Sequence, residues 1–316
     1  MSERLAHVSY VLTDQELLTN RGTDFAFLAQ PFSHATNLIL MAGSIALLGI
    51  LVMIGRKIPA VRDRIRFFRG RARSYQEFIP LILRFCLGAV LIAAASQQTL
   101  ISPAVHNQPG LAVIQLVLGF LIMTGFVLTP AVITTLVLSV GALIIHPTLA
   151  DNLEIIAVTL AILLLGKTKP GIDDLLGIPM ITFPDRVQRT IPLILRLGLG
   201  GAMLVMAVGD KLLNPHLFGA VVEIYGLAAL IPVSTAMWVT SATLIEISFG
   251  LAILIGFQTR LVSLLTFAVL GLFFFGFGEQ IAAHVTLFAG LFVLIITGGG
   301  HWSPDDLSAK RQQRKT

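Results

Sequence analysis

Long apolar runs fill most of the chain, and its charged residues gather between them. Nine runs approach the ~20 residues with which an α-helix crosses a bilayer, whereas none alternates as the strand of a membrane barrel does. The fifth run begins among the polar residues Asp151, Asn152 and Glu154 and is therefore the weakest span. The pattern predicts an all-α polytopic integral membrane protein with helical spans at 35–54, 80–101, 110–128, 131–146, 149–166, 191–213, 236–256, 261–278 and 281–299.

The placement of lysine and arginine predicts how these spans are oriented. The loop from Arg56 to Arg73 carries eight basic residues. With this loop in the cytoplasm, all but Arg4, Arg21 and Lys211 of the 22 lysines and arginines lie on or near the same side. The positive-inside rule therefore predicts an external N-terminus and a cytoplasmic C-terminus. The basic loop also fits an amphipathic helix on anionic lipid, and the net charge of +5 does not imply a nucleic-acid partner.

Composition agrees with a membrane protein and argues against several kinds of chemistry. Hydrophobic residues make up 55% of the chain and charged residues 12%, against about 25% charged residues in soluble domains. The single cysteine, Cys86, excludes an intramolecular disulfide and a CxxC redox pair. The sequence has no phosphate-binding loop, nucleophile elbow or His/Cys cluster, so we expect no nucleotide, haem or metal site.

Two segments of the chain are related to each other. "PLILRFCLGA" begins at Pro80 and "PLILRLGLGG" begins at Pro192, 112 residues later. The same offset pairs Arg84 with Arg196, and an offset of 131 then pairs later glycines and polar residues. The sequence therefore predicts a duplicated unit, with a longer external segment inside the second copy.

The predicted organisation places two four-helix units behind one extra helix. An even number of spans makes the two units parallel rather than inverted. Small residues along their helices suit close helix contacts in lipid. The boundaries are an external segment at 1–33, an extra transmembrane helix at 34–55, a basic cytoplasmic loop at 56–79, a first unit at 80–176, a cytoplasmic linker at 177–191, a second unit at 192–306 and a basic tail at 307–316.

Three segments of the second unit carry a resemblance to a known family: "LRLGLGGAMLVMAVGDKLLNP", "IEISFGLAILIGFQTR" and "GGGHWSPDD". With these motifs the second unit resembles the DoxX/DoxD-like family of small four-helix membrane proteins. The first unit looks like a diverged copy. The family includes the DoxD-type subunit of thiosulfate:quinone oxidoreductase and membrane proteins that associate with oxidoreductase complexes.

The resemblance implies two parallel DoxX-like bundles in the bacterial inner membrane. It also implies a membrane subunit of a redox system, which either uses quinone as a cofactor or anchors partner oxidoreductase subunits. The alternative is a membrane scaffold or assembly factor without enzymatic activity, or a carrier of small solutes. Whether the protein is catalytic and whether it forms a homo-oligomer stay open.

Ionisable side chains inside lipid are costly and mark functional sites by default. The catalytic candidates are Glu246, Lys211 and His284, and the candidates for binding a cofactor are Lys211, Asp210, Arg196 and Glu246. At ~1.5 Å per residue the levels of Glu246 and Lys211 differ by roughly 10 Å. In the first unit only Arg84, the counterpart of Arg196, keeps its charge, which predicts that the chemistry lies in the second unit; the other matching positions are neutral, namely Gln98, Thr99, Gln115 and Asn152.

Two interpretations of the charged residues remain. In the first, Glu246, Lys211 and His284 line an externally open pocket that supplies a quinone headgroup with donors and a proton route. In the second, Glu246 forms an ion pair with Lys211 or Arg196 that only fixes helix packing. Glu223 and Tyr225 in the longer external segment either cover such a pocket or lie at the membrane interface.

Overall fold

The computed structural model describes residues 14–40, 75–103, 105–166, 169–277 and 281–306, with isolated positions at 12, 42, 43, 46, 50 and 70. Over these residues the chain is helical and contains no strand, which confirms the predicted all-α class. The predicted extra helix at 34–55 and the basic loop at 56–79 fall mostly outside the described residues, as does the tail at 307–316.

The helices begin and end close to the predicted boundaries. Prolines stand in the first turn of several long helices, where the missing N–H is not needed. The helices are α1 Asp14–Thr19, α2 Phe25–Ala29, α3 Ile79–Ser96, α4 Pro109–Thr124, α5 Leu128–Ile145, α6 Leu153–Leu165, α7 Ile172–Leu176, α8 Asp185–Gln188, α9 Ile191–Met206, α10 Pro215–Ile224, α11 Leu227–Leu230, α12 Thr235–Ile255, α13 Thr259–Phe277 and α14 Ile281–Thr297.

Five helical stretches in the described chain are long and apolar enough to cross a membrane. The chain is therefore a multi-pass membrane protein by the length and composition of its helices. Three further helices of the two units, α4, α13 and α14, contain shorter apolar stretches, at Pro109–Thr124, Thr259–Leu272 and His284–Thr297. The five stretches are Gln76–Ser96, Leu128–Ile145, Pro147–Leu165, Asp185–Leu212 and Thr235–Ile255.

Paired arginines make matching contacts in the two units. Both guanidinium groups are buried, and both donate to backbone carbonyls at the end of the unit's second helix and in the segment that follows its fourth. In these contacts the N–H groups of each guanidinium donate to oxygen atoms of the protein backbone. The acceptors are Ile122, Met123 and Pro170 for Arg84 and Ile253, Leu254, Ile255 and Gly299 for Arg196.

The turn between the second and third helices is also the same in both units. Gly125 has φ +67° and Gly256 has φ +82°, and a Cβ atom at either position would lie within 3 Å of the guanidinium of Arg84 or Arg196. Glycine is therefore required at this turn for both backbone and space. An aspartate carboxylate then accepts two backbone N–H groups across the turn, at 2.7 and 2.8 Å for Asp173 and at 2.9 Å for Asp305.

The two units share one apolar core. The first helix of each unit packs against the last helix of the other, so that α3 contacts α14 and α9 contacts α6. A Cβ atom at Gly198 on α9 would collide with Ala157 on α6. Close approach through small residues therefore joins the units, as is common between helices in lipid. The hydrophobic pattern predicts the helices but not that the first helix of each unit packs against the last helix of the other. The domain boundaries stay a prediction.

Candidate functional site

The last turn of α9 opens into a π-helix over Ala207–Leu212. The N–H of Leu213 donates to the carbonyl of Val208 at 2.9 Å, which is the i→i−5 spacing of that geometry. Both Asp210 and Lys211 on this turn are buried. Single π turns are rare and are frequent at functional sites. No signal in the sequence predicts this turn.

Lys211 and Glu246 form an ion pair. The Nζ of Lys211 donates to both carboxylate oxygens of Glu246, at 2.8 and 2.7 Å. The same ammonium lies 4.7 Å from the centre of the Phe218 ring, where a cation interacts favourably with the ring face. The lysine side chain therefore spans the predicted difference in depth between the backbones of Lys211 and Glu246. The structure brings together two of the three catalytic candidates.

Glu246 is the exposed partner of this pair. Its side chain is 28% exposed, whereas that of Lys211 is 5% exposed. Glu246 lies midway along α12, which is long and apolar enough to cross a membrane, and its neighbours Leu244 and Ile245 are exposed apolar residues. The carboxylate is thus partly open to the surface midway along this helix.

The first unit holds a neutral version of the same contact. Gln115, which pairs with Glu246 in the repeat, is fully buried and accepts from the N–H of Ile101 at 2.9 Å. Its amide donates to the carbonyl of Leu91 at 3.1 Å and that of Thr99 at 3.4 Å. Thr99 is the counterpart of Lys211. The two positions therefore meet in both units, and only the second unit carries charge there.

Arg196 does not join the pair. Its donors are taken by the carbonyl groups of α12 and of the segment after α14, at distances of 2.7 to 3.2 Å. Its role in the structure is to hold helix ends together, in the same way as Arg84. The candidates for cofactor binding therefore separate into Lys211, Glu246 and Asp210 near one end of α9 and Arg196 near the other.

His284 is buried on α14. Two residues further along the helix, the hydroxyl of Thr286 donates to Oε1 of Glu154 at 3.2 Å. Glu154 and Asp151, at the start of α6, are both buried. In the sequence these carboxylates only make the fifth run a less clear membrane span. An acidic residue buried in a membrane helix is itself a signal of function, however.

A cavity of about 480 Å³ lies away from the ion pair, between the N-terminal segment and the second unit. Thr240 donates to the carbonyl of Leu28 at 3.1 Å, which ties this segment to α12. The predicted pocket around Glu246, Lys211 and His284 does not correspond to this cavity. Its walls are formed by Glu16, Asn20, Phe27, His216, Gly219, Ala220, Glu223, Ile224 and Thr235.

Asp24 is in contact with His216, which forms part of the wall of this cavity. The carboxylate of Asp24 lies 3.0 Å from Nε2 of His216, and the ring of Phe27 lies 4.7 Å from that of the histidine. Asp24 also accepts from the backbone N–H of Phe27 at 2.8 Å. The hydrogen bond from Phe27, followed by that from His216, lowers the pKa of Asp24 below its ordinary value of 3.8.

Comparison with known proteins adds no family assignment. No protein-family model, no curated protein and no solved structure matches the chain. Among the described residues, no group of three or more His, Cys, Asp or Glu side chains is arranged to hold a metal ion. The function therefore has to be argued from the ion pair and the buried residues around it.

Proposed function

We propose that this chain is a DoxX-like subunit of a redox system in the bacterial inner membrane, and that its second unit binds a quinone headgroup beside Lys211 and Glu246. The observation that carries the proposal is the partly exposed ion pair midway along a helix that is long and apolar enough to cross a membrane. A lipophilic ligand in the bilayer reaches the exposed side of Glu246 without crossing the protein.

The pair offers the two things that a quinone needs at each carbonyl. The ammonium of Lys211 has three donors, and a bound quinone oxygen takes one of them. The carboxylate of Glu246 accepts or delivers a proton when the quinone changes its redox state. The first unit offers only the amide of Gln115, which is already occupied by backbone groups. We therefore place the ligand at the second unit alone.

A second function fits a different observation. The carboxylate of Glu246 already satisfies the ammonium of Lys211, and Phe218 covers it, so the pair is also complete as a packing element. A scaffold that anchors or assembles an oxidoreductase would need no more than this. A carrier of small solutes would instead use the cavity beneath the N-terminal segment.

Mass spectrometry of the protein purified from its own membrane in mild detergent separates these functions. The matched variant is the double substitution Lys211→Thr with Glu246→Gln, which gives the second unit the residues found in the first. We expect bound quinone in the wild-type protein and none in this variant, which should still unfold cooperatively and so remain folded. Quinone that persists in the variant would refute the site. Absence of quinone together with a stoichiometric partner chain would establish the anchoring function instead.

A further inference from the structure

The cavity between the N-terminal segment and the second unit is large enough to hold a small molecule. Its volume of about 480 Å³ lies within the roughly 300–1,000 Å³ of typical ligand pockets. One wall is formed by Glu16, Asn20 and Phe27 of the N-terminal segment, and the other by α10 and the start of α12. The described lining includes neither Lys211 nor Glu246, so a ligand in this cavity is separate from the proposed quinone.

Several contacts hold the two walls together. The backbone N–H of Gly22 donates to Oδ1 of Asn214 at 3.0 Å, and the hydroxyl of Thr240 donates to the carbonyl of Leu28 at 3.1 Å. A small buried apolar cluster also joins the N-terminal segment to α10; its members are Leu12, Leu17, Leu217 and Val221. The cavity is therefore formed before a ligand arrives, which is usual for small-molecule sites.

The walls of the cavity carry carboxylates rather than fixed positive charge. Glu16 and Glu223 line it from the two walls, and Glu223 is exposed, so its carboxylate is open to a ligand. No lysine or arginine is among the described residues that line the cavity. Nε2 of His216 lies 3.0 Å from the carboxylate of Asp24, which balances any charge on the imidazole. A cation therefore meets a carboxylate here, whereas an anion meets no ammonium or guanidinium group.

Apolar groups beside the carboxylates fit the body of an organic cation. Phe27 lines the cavity, and an ammonium group interacts favourably with the face of such a ring. Ala220 and Ile224 supply apolar lining on α10. Gly219 leaves space between them and α12, because a Cβ atom there would meet only Thr235, at 3.5 Å. A bare inorganic cation would use none of these apolar groups.

We propose that this cavity binds a small organic cation, with its ammonium group at Glu223 and its apolar body against Phe27. Such a ligand gains a charge-assisted hydrogen bond and removes its apolar part from water in the same cavity. The N-terminal segment is then part of a binding site, because it forms one wall. Binding at this cavity stands without the proposed redox function, and it gives the alternative function of a solute carrier a class of solute.

Isothermal titration calorimetry of the full-length protein in mild detergent tests the site. The probe is benzylamine, which is protonated at neutral pH, and benzyl alcohol and benzoate are its neutral and anionic counterparts of similar size. Titrations into detergent alone are subtracted. We expect saturable binding of benzylamine and no binding of benzoate. Benzyl alcohol should bind about tenfold more weakly than benzylamine, because it loses a hydrogen bond between charged groups.

Two variants with matched controls locate the binding. Glu223→Gln removes the carboxylate at nearly constant size and should weaken benzylamine binding about tenfold. Glu77→Gln removes an exposed carboxylate outside the cavity and should leave binding unchanged. Gly219→Leu fills the cavity and should abolish binding, whereas Gly219→Ala adds only a Cβ atom that has space. The fold should survive each change, since the two glutamates are exposed and alanine and leucine favour a helix more than glycine does.

The proposal is overturned if benzylamine binds no more tightly than benzyl alcohol. It is also overturned if either Glu223→Gln or Gly219→Leu binds benzylamine as the wild-type protein does, because the probe then lies elsewhere. Equal weakening in Glu77→Gln and Glu223→Gln would have the same consequence, since the attraction would then belong to the charge of the whole protein.

Discussion

The ion pair between Lys211 and Glu246 can be measured with a double-mutant cycle built on the first unit. The single variants are Glu246→Gln and Lys211→Thr, and the double variant reproduces the neutral contact of Gln115 and Thr99. Glu246→Gln leaves a buried ammonium that still lies over the ring of Phe218 but has lost the carboxylate that neutralises it. Lys211→Thr leaves a carboxylate that is still partly exposed, so it should be the milder change.

The expected magnitude follows from burial and from the contacts that remain. Removing one partner of a buried pair costs about 3–5 kcal/mol. The contact with Phe218 retains about 1–2 kcal/mol for the ammonium. We therefore expect Glu246→Gln to lower the free energy of unfolding by about 1–4 kcal/mol. The double variant should be more stable than the sum of the singles implies, with a coupling of about 2 kcal/mol.

Unfolding in detergent, followed by circular dichroism, gives the four free energies of the cycle. Ser248→Ala on the same helix is the control, because Ser248 is exposed and its hydroxyl bonds only to its own helix. We expect that change to stay within about 0.5 kcal/mol. Neutral hydrogen bonds between membrane helices average about 0.6 kcal/mol. A coupling no larger than this would refute the reasoning that the pair is a desolvated ion pair.

Three further predictions concern the turn, the N-terminal segment and the contact between units. Gly256→Ala places a Cβ atom 2.6 Å from the Arg196 guanidinium, at a residue with φ +82°, whereas a Cβ atom at Gly271 meets open space. The melting temperature of Gly256→Ala should therefore fall well below that of Gly271→Ala, and equal melting temperatures would contradict the steric argument. The lowered pKa of Asp24 stabilises the N-terminal contact above pH 3.8, and this stabilisation is lost as the pH falls through the folded-state value. The protection factors for hydrogen exchange at residues 14–33 should therefore fall at acidic pH in the wild-type protein, and Asp24→Asn should show the lower protection already at neutral pH. Thr286→Val removes the hydroxyl that donates to Glu154 and should destabilise the protein by about 1–3 kcal/mol in the same unfolding assay; no loss would show that the bond contributes nothing.

Sequence alone predicts the helices and the repeat because both depend on local composition. Pro80 and Pro192 stand at equivalent helix starts, and Gly125 and Gly256 at equivalent helix ends, where the structure has them. The exchange of helix partners is not predicted. Apolar surfaces of similar composition pack equally well in many arrangements, so the choice depends on shape, for example where Gly198 admits Ala157.

The candidate site was predicted in part. Lys211, Asp210 and Glu246 lie near one another as the spacing indicates, although the π turn that buries Asp210 has no local signal. Arg196 was included because a charge in lipid suggests function. A guanidinium has five donors, however, and the open carbonyls at helix ends can satisfy them without a ligand. Distinguishing the two roles requires coordinates.

The contact between Glu154 and Thr286 shows what duplication within one chain allows. These residues are counterparts in the repeat, 132 positions apart, and they touch each other. Contacts between counterparts occur where a two-fold axis relates the units, and in a dimer of identical chains the two residues would be the same. Two ionised glutamates at this contact would repel each other, and two threonines would provide no carboxyl group. Joining the units in one chain lets one side carry the acid and the other the donor. The first unit therefore contributes a buried acid to this contact between the units, and the location of the chemistry in the second unit stays a prediction.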